Sequence, residues 1–210
     1  MINKGLLIKA LSQIKNDVIC PDYNNILRAF ELCPLSNCKA VFLGQDPYPQ
    51  RGVATGILFG NKKDTPEDKL SPSLRVIREA AIDYTVPHAG IDFDITLESW
   101  AKQGVLMLNS ALTTKLNCVG AHTMIWRPFI SDFLYNLSRK NPRLVYVLFG
   151  EQAQTFTPYI SKKSNYIINE KHPAYYARLN ERMSSDLFYE VNKYIYGQCG
   201  EKIEWFREYV

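Results

Sequence analysis

The chain has no Cys-x-x-Cys pair, only three histidines, and no apolar run long enough to cross a bilayer. Its five cysteines, Cys20, Cys33, Cys38, Cys118 and Cys199, are odd in number and scattered. That pattern argues against a disulfide framework and fits reduced thiols in an intracellular compartment. Cys33 and Cys38 find no second pair at ligand spacing, so no structural metal or iron–sulfur site is expected. Without a long apolar run, or an apolar signal core at the N-terminus, the expectation is a soluble, cytoplasmic protein with no membrane partner. Repeats and low-complexity tracts are absent too, which excludes a solenoid.

What remains is an ordinary globular composition, 46% apolar and 22% charged over 210 residues. This is enough chain for one domain spanning residues 1–210 with a single core, expected to be a monomer. The net charge of +4 permits a polyanionic partner without demanding one. The charge is uneven. Between residues 161 and 182 stand Lys162, Lys163, Lys171, Arg178 and Arg182 against Glu170 and Glu181. Taken alone, such a window reads as a solvated face.

Four short apolar runs, at 40–43, 105–108, 144–149 and 166–168, have the composition of buried parallel strands. Helical spacing appears between and after them, at 24–32, 73–84 and 97–103, the last stopping at Gly104. Thr123 and Ser184 are expected to cap two further helices, running to about 138 and about 196. Residues 61–71 and 84–96 are expected loops. Alternating strands and helices predict an α/β protein, three-layer α/β/α with a short central four-stranded parallel sheet.

The first of these runs ends in Gly44-Gln45-Asp46-Pro47-Tyr48. Five specified residues in a row arise by chance in only on the order of one in ten thousand chains this long. A proline-containing turn after a strand is the plain reading, but it does not explain a carboxylate and a phenol fixed at the strand's C-terminal end. Ligands bind at that end in open α/β sheets. The other runs also lead into chemistry: the second delivers Asn109 with Ser110 behind it, the third ends at Gly150, and the fourth leads into Lys171-His172-Pro173. A lone Asn or His there is more often a turn former. Four strand ends sharing one crevice shift the balance toward a site.

Together these residues resemble the family 1 uracil-DNA glycosylases. The water-activating motif is Gly44-Gln45-Asp46-Pro47-Tyr48. The segment Ala54-Thr55-Gly56-Ile57-Leu58-Phe59 is similar to the one that places a phenylalanine under the base. Pro72-Ser73-Leu74 matches the family's Pro-Ser-Leu element, and residues 100–109 match the strand carrying its uracil-reading asparagine. His172-Pro173 opens the final motif. The resemblance implies excision of uracil from DNA, with Asp46 and His172 as catalytic residues. Gln45, Tyr48, Phe59 and Asn109 would bind uracil, and Ser73, Tyr176, Lys171 and Arg178 would contact DNA. No metal or organic cofactor is implied. The partners implied are uracil-containing DNA, proteinaceous glycosylase inhibitors and replication proteins. His88 and His122 fall outside the motifs and read as structural.

Departures from the family pattern gather on the DNA-facing positions. Pro49 stands where a histidine is usual, and Glu151 where a small serine is common. The last motif reads His172-Pro173-Ala174-Tyr175-Tyr176-Ala177, with two serines lost and Tyr176 in place of the leucine that fills the gap left by a flipped base. Two other readings therefore stand beside uracil excision. One is a non-catalytic DNA-binding or replication-accessory protein on the same fold, the other a glycosylase for a different damaged base.

Overall fold

The computed structural model describes residues 2–82 and 90–208. His88, the expected helix end at Tyr84 and the first part of the expected 84–96 loop lie outside them. The chain opens with helix α1 (Lys4–Ile14), where Asn3 caps the first turn by accepting the Leu6 N–H. A short strand β1 (Ile19–Cys20) and helix α2 (Arg28–Leu32) lead to β2 (Ala40–Gly44). Next come α3 (Pro72–Ile82), β3 (Ile91–Asp92), α4 (Glu98–Lys102) and β4 (Val105–Asn109). They are followed by β5 (Thr114–Lys115), α5 (Thr123–Lys140), β6 (Val145–Phe149) and α6 (Gly150–Gln154). The chain finishes with β7 (Tyr166–Glu170), α7 (Pro173–Leu179), α8 (Asp186–Cys199) and β8 (Arg207–Glu208).

The four apolar runs form one parallel sheet in the order β4-β2-β6-β7. Every residue of β2, β4 and β6 is buried, so helices cover both faces and the architecture is the expected three-layer α/β/α. Such strands cannot alternate apolar with polar, because neither face meets water. One face is filled by aromatic rings. Phe42 on β2 lies 5.5 Å from Phe149 and stacks on Trp205 at 6.0 Å. Trp100 from α4 meets Trp205 edge-on at 4.9 Å, and its indole N–H donates to the Trp205 carbonyl at 2.9 Å. The tail around Trp205 has no regular structure of its own, yet Asn192 on α8 ties it down. Its amide donates to the Ile203 carbonyl at 2.9 Å and accepts the Ile203 N–H at 2.8 Å.

Several boundaries differ from the sequence reading. Helix 24–32 is split into a 3-10 turn (Tyr23–Asn25) and the short α2, with Leu27 at φ −103° between them. The loop around Gly56 packs onto that break; a Cβ at Gly56 would sit 1.9 Å from the Asn25 carbonyl oxygen. Thr123 is the first residue of α5 instead of its cap, a position taken by His122. Helix α8 begins at Asp186, whose N–H donates to the Ser184 hydroxyl. Helices α1, α6 and α7 went unread in the sequence. The third of these starts directly after His172, because Pro173 presets the helical φ at the first position.

Trp205 is 3% exposed and touches Phe42, Trp100 and Phe188. Trp205→Ala should therefore destabilise the fold by about 3–5 kcal/mol. A lowered urea midpoint with an unchanged slope would show it; an unchanged midpoint would mean that the tail is not part of the core.

Candidate active site

Sheet register decides what meets at the C-terminal edge. Gly44 on β2 is paired with Asn109 on β4, and Phe149 on β6 with Glu170 on β7. The chain therefore leaves the sheet at Gln45, Ser110, Gly150 and Lys171 on one side of the molecule. The first two exits are stitched together. The Gly44 carbonyl accepts the Ser110 N–H at 3.0 Å, and the Gln45 carbonyl accepts both the Ala111 N–H (2.9 Å) and the Ser110 hydroxyl (2.8 Å). Gly44 has no room for a side chain: a Cβ would lie 2.3 Å from Leu58 Cδ1 and 3.4 Å from Asn109 Oδ1.

Above this edge is a cavity of about 450 Å³, a size suited to a small organic ligand. Gln45, Asp46, Tyr48, Phe59, Asn109 and His172 all line it. Ser73 and Arg178 line it as well, so eight of the ten candidate residues are brought together. The other two are not. Lys171 is exposed outside the cavity, its ammonium 4.2 Å over the Tyr175 ring. Tyr176 is half-buried against the core on α7, and its hydroxyl donates to Glu170 Oε1 at 2.8 Å.

Each lining residue is held by a specific partner. The Tyr48 hydroxyl donates to the Phe59 carbonyl at 3.1 Å, and burial pushes its pKa well above the ordinary phenol value. Phe59 sits at φ +61°, a left-handed conformation that a bulky residue adopts only when its surroundings enforce it. Its ring lies edge-to-face with Phe149 at 5.2 Å and with His172 at 5.5 Å. His172 is the N-cap of α7, its Nδ1 accepting the Ala174 N–H at 3.1 Å. An acceptor nitrogen carries no proton, so in the neutral ring Nε2 is the donor. Burial, helped by the nearby Arg178 charge, pulls the His172 pKa down to about 4. The imidazole is thus neutral at physiological pH.

Asp46 experiences the opposite pull. Burial raises its pKa above the usual carboxylate value, while the Gly120 N–H (2.5 Å to Oδ2) favours the ionised form. Asn109 is 7% exposed, and its Oδ1 has no hydrogen-bond partner within the protein. Leaving a buried acceptor unpaired costs about 1–3 kcal/mol, so this atom is set toward something that enters the cavity.

The sequence reading missed the loop that carries Val119 and Gly120. Val119 is 68% exposed at the cavity mouth, and Gly120 supplies the N–H on Asp46. The residue types Asn117 and Gly120, which tolerate the positive φ both adopt, were the available turn signal. His122 has the expected structural place. It is buried, with Nδ1 2.9 Å from the Thr113 hydroxyl and Nε2 3.2 Å from Asp17. Among the described residues, no cluster of three or more His, Cys, Asp or Glu side chains is arranged to hold a metal ion.

A family model described as the uracil DNA glycosylase superfamily matches residues 30–195. A protein named uracil-DNA glycosylase from Fusobacterium nucleatum is 32% identical over 197 residues, covering 92% of this chain and 84% of its own length. The crystal structure of mimivirus uracil-DNA glycosylase superposes with a TM-score of 0.81 at 27% identity, covering 96% of this chain and 80% of that one. A mimivirus variant in complex with UGI gives a TM-score of 0.78 at 26% identity, over 98% and 82% of the two chains. A match of this extent, on a sheet whose edge gathers Asp46, Asn109 and His172 into one cavity, places the chain in the uracil DNA glycosylase superfamily.

Proposed function

We infer that this protein hydrolyses the N-glycosidic bond of deoxyuridine in DNA, the step that opens base excision repair. The observation that carries this reading is the buried, unpartnered Asn109 Oδ1 in a cavity that also holds Asp46 and a neutral His172. Uracil presents an N3–H donor and an O4 acceptor, and an asparagine amide complements both. Cytosine presents the reverse pattern and would leave the buried amide unpaired, a mismatch that such sites reject strongly. Tyr48 closes the cavity where a thymine methyl would enter, and Phe59 offers its face for stacking. Uracil inside a duplex is out of reach, so it must be flipped into the cavity.

Water attacks the sugar at C1′ as the bond to N1 breaks, and the electron pair leaves with the base. Negative charge develops on uracil O2. The His172 Nε2–H and the Gln45 backbone amide are the donors assigned to it, preorganised and largely desolvated. A neutral histidine suits that task because its donor is already fixed by the Ala174 N–H at the opposite nitrogen. Asp46 orients the water and balances the positive charge on the sugar; the proton that the water loses passes to solvent or to the departing base. No step requires a metal or an organic cofactor. A non-catalytic binding module would have no use for Asp46, Asn109 and His172 in one cavity. Another damaged base as substrate fits poorly with Tyr48 and Asn109.

Arg178 at the cavity mouth and the exposed Lys171, Lys162 and Lys163 are the cations assigned to phosphate. They stand in for the hydroxyls lost at Ala174 and Ala177. Ser73, which lines the cavity and hydrogen-bonds Tyr48, contributes by positioning as much as by any DNA contact. The likeness to a structure that holds UGI supports a proteinaceous inhibitor as a further partner.

The reading is tested by incubating the purified protein with uracil-, thymine- and hypoxanthine-containing oligonucleotides in EDTA and scoring abasic sites. Only the uracil strand should be cut after alkali. No abasic product from single-stranded uracil DNA at stoichiometric protein would reject the reading. Asp46→Asn and His172→Leu should each lower kcat by orders of magnitude while DNA affinity stays nearly intact, as expected for groups that act in the transition state. Asn109→Asp should impair uracil release and Tyr48→Ala should admit thymine.

A depressed pKa keeps His172 neutral down to about pH 4, so kcat/KM should show no inflection near pH 6.5. Nitrogen NMR of the ring should likewise report the Nε2–H tautomer without titration between pH 5.5 and 8, the window around the ordinary histidine value. An imidazolium signal at pH 6 would overturn this assignment. Tyr176→Ala should reduce cleavage of double-stranded DNA more than of single-stranded DNA, since an aromatic stacked in a gap contributes about 1–3 kcal/mol. Its bond to Glu170 has to open for that, so Tyr176→Phe should retain double-strand cleavage. Equal losses on both substrates with a lowered Tm would assign Tyr176 to packing alone.

A further inference from the structure

The loop between β5 and α5 contacts the turn that carries Asp46. It leaves β5, which is paired antiparallel to β1, and turns back through a bridge between Lys115 and Cys118. The Thr114 hydroxyl donates to the Cys118 carbonyl at 2.5 Å, closing the turn from inside. Asn117 at φ +59° and Gly120 at φ +74° both hold left-handed backbone conformations in this turn. Asn117 N–H donates to the Pro49 carbonyl at 2.9 Å, and Gly120 N–H donates to Asp46 Oδ2 at 2.5 Å. These two bonds grip both ends of the 46–49 turn.

The loop is itself anchored at both ends by a single carboxylate. Asp17, after α1, pairs with Lys115 at 3.0 Å and with His122 Nε2 at 3.2 Å. The far side of the His122 ring meets the Thr113 hydroxyl, which also accepts the Trp126 indole N–H at 2.7 Å. The loop is thus fastened to the body of the protein before it touches the site.

We propose that the 114–122 loop is a positioning device for Asp46, in which the Gly120 N–H fixes the carboxylate's orientation and favours its anionic form inside the cavity. This rests on the catalytic reading of Asp46 and extends it to residues with no role in that scheme. The physical reason is the conflict at Asp46. Burial favours the protonated acid, whereas orienting water and balancing a sugar cation require the anion. A charge-assisted N–H bond from a rigid backbone opposes burial without introducing a cation that would compete for the carboxylate. The other titratable groups lining the cavity are Tyr48, His172 and Arg178. On the loop they are Lys115, Cys118 and His122, with Lys115 and His122 both engaged by Asp17.

A Cβ at Gly120 would meet only Gln45 Nε2 at 3.6 Å and Thr123 Oγ1 at 3.7 Å, ordinary contacts, so substitution there acts through the backbone. The left-handed conformation is tolerated by Asn better than by Ala, and least by Val. The test is a series of Gly120→Asn, Gly120→Ala and Gly120→Val. The kcat for uracil release should fall in that order, by about tenfold or more at Val, the scale of a lost hydrogen bond to a charged group. KM should stay near its wild-type value. The acid limb of kcat should move to higher pH in the same order, because losing a donor to the anion raises the Asp46 pKa. Carboxyl-carbon NMR of Asp46 reads that pKa directly and without reference to activity.

Simple crowding would instead rank Ala above Asn, and that order, or an unmoved acid limb and Asp46 titration, would overturn the proposal. If position 120 variants unfold, Asn117→Gly against Asn117→Val repeats the comparison at the other end of the grip. Failure of the catalytic reading is separable: it appears as a wild-type protein that releases no uracil, whereas failure of the clamp appears only in the variant series.

Discussion

The in-register pairing of Gly44 with Asn109 across two parallel strands is the constraint on which the site depends. Leu58 and Asn109 occupy the space that a side chain at Gly44 would need. That close approach brings the Gln45–Tyr48 turn and the asparagine to one cavity. The Ser110 and Ala111 donors then fix the Gln45 carbonyl, and Tyr48 reaches across to hold Phe59 at an unfavourable backbone angle. A one-residue slip of β2 against β4 would send every side chain to the opposite face and dissolve the cavity.

Burial acts on Asp46 and His172 in the same sense and with opposite chemical consequences. It disfavours charge at both Asp46 and His172. For His172 nothing resists: Arg178 adds like-charge repulsion and the Ala174 N–H occupies Nδ1, so the ring is a neutral Nε2 donor. For Asp46 the Gly120 N–H opposes the upward shift that burial imposes, by favouring the ionised carboxylate. The cavity is one environment. The backbone groups delivered by α7 and by the 114–122 loop act on it in opposite senses, one fixing the tautomer of a neutral imidazole and the other favouring an anionic carboxylate.

The substitutions at Pro49, Ala174 and Tyr176 look less disruptive in three dimensions than in one. Pro49 takes part through its carbonyl, which accepts the Asn117 N–H, so the missing side chain there is replaced by a backbone tether. At Ala174 the N–H, common to all residues but proline, does the work of setting the His172 tautomer. Tyr176 contributes packing and a bond to Glu170.

Much of this was legible in the chain itself. Apolar runs with no alternation announced strands buried on both faces, and the residues just past them announced the edge that carries the site. Asp46, Asn109 and His172 could be named because each follows such a run, and residue type limits what each can donate or accept. The sequence could not show that Asn117 and Gly120, ordinary turn residues, aim their N–H groups at Pro49 and Asp46. Nor could it show that Asp17 pins the loop from about a hundred residues away. Helix α7 and the break in the 24–32 helix were hidden for the same reason. Backbone donors carry no sequence signature, and short helices take their stability from what they pack against. The pKa of Asp46 and the tautomer of His172 follow from burial and from those donors, so only the folded chain decides them.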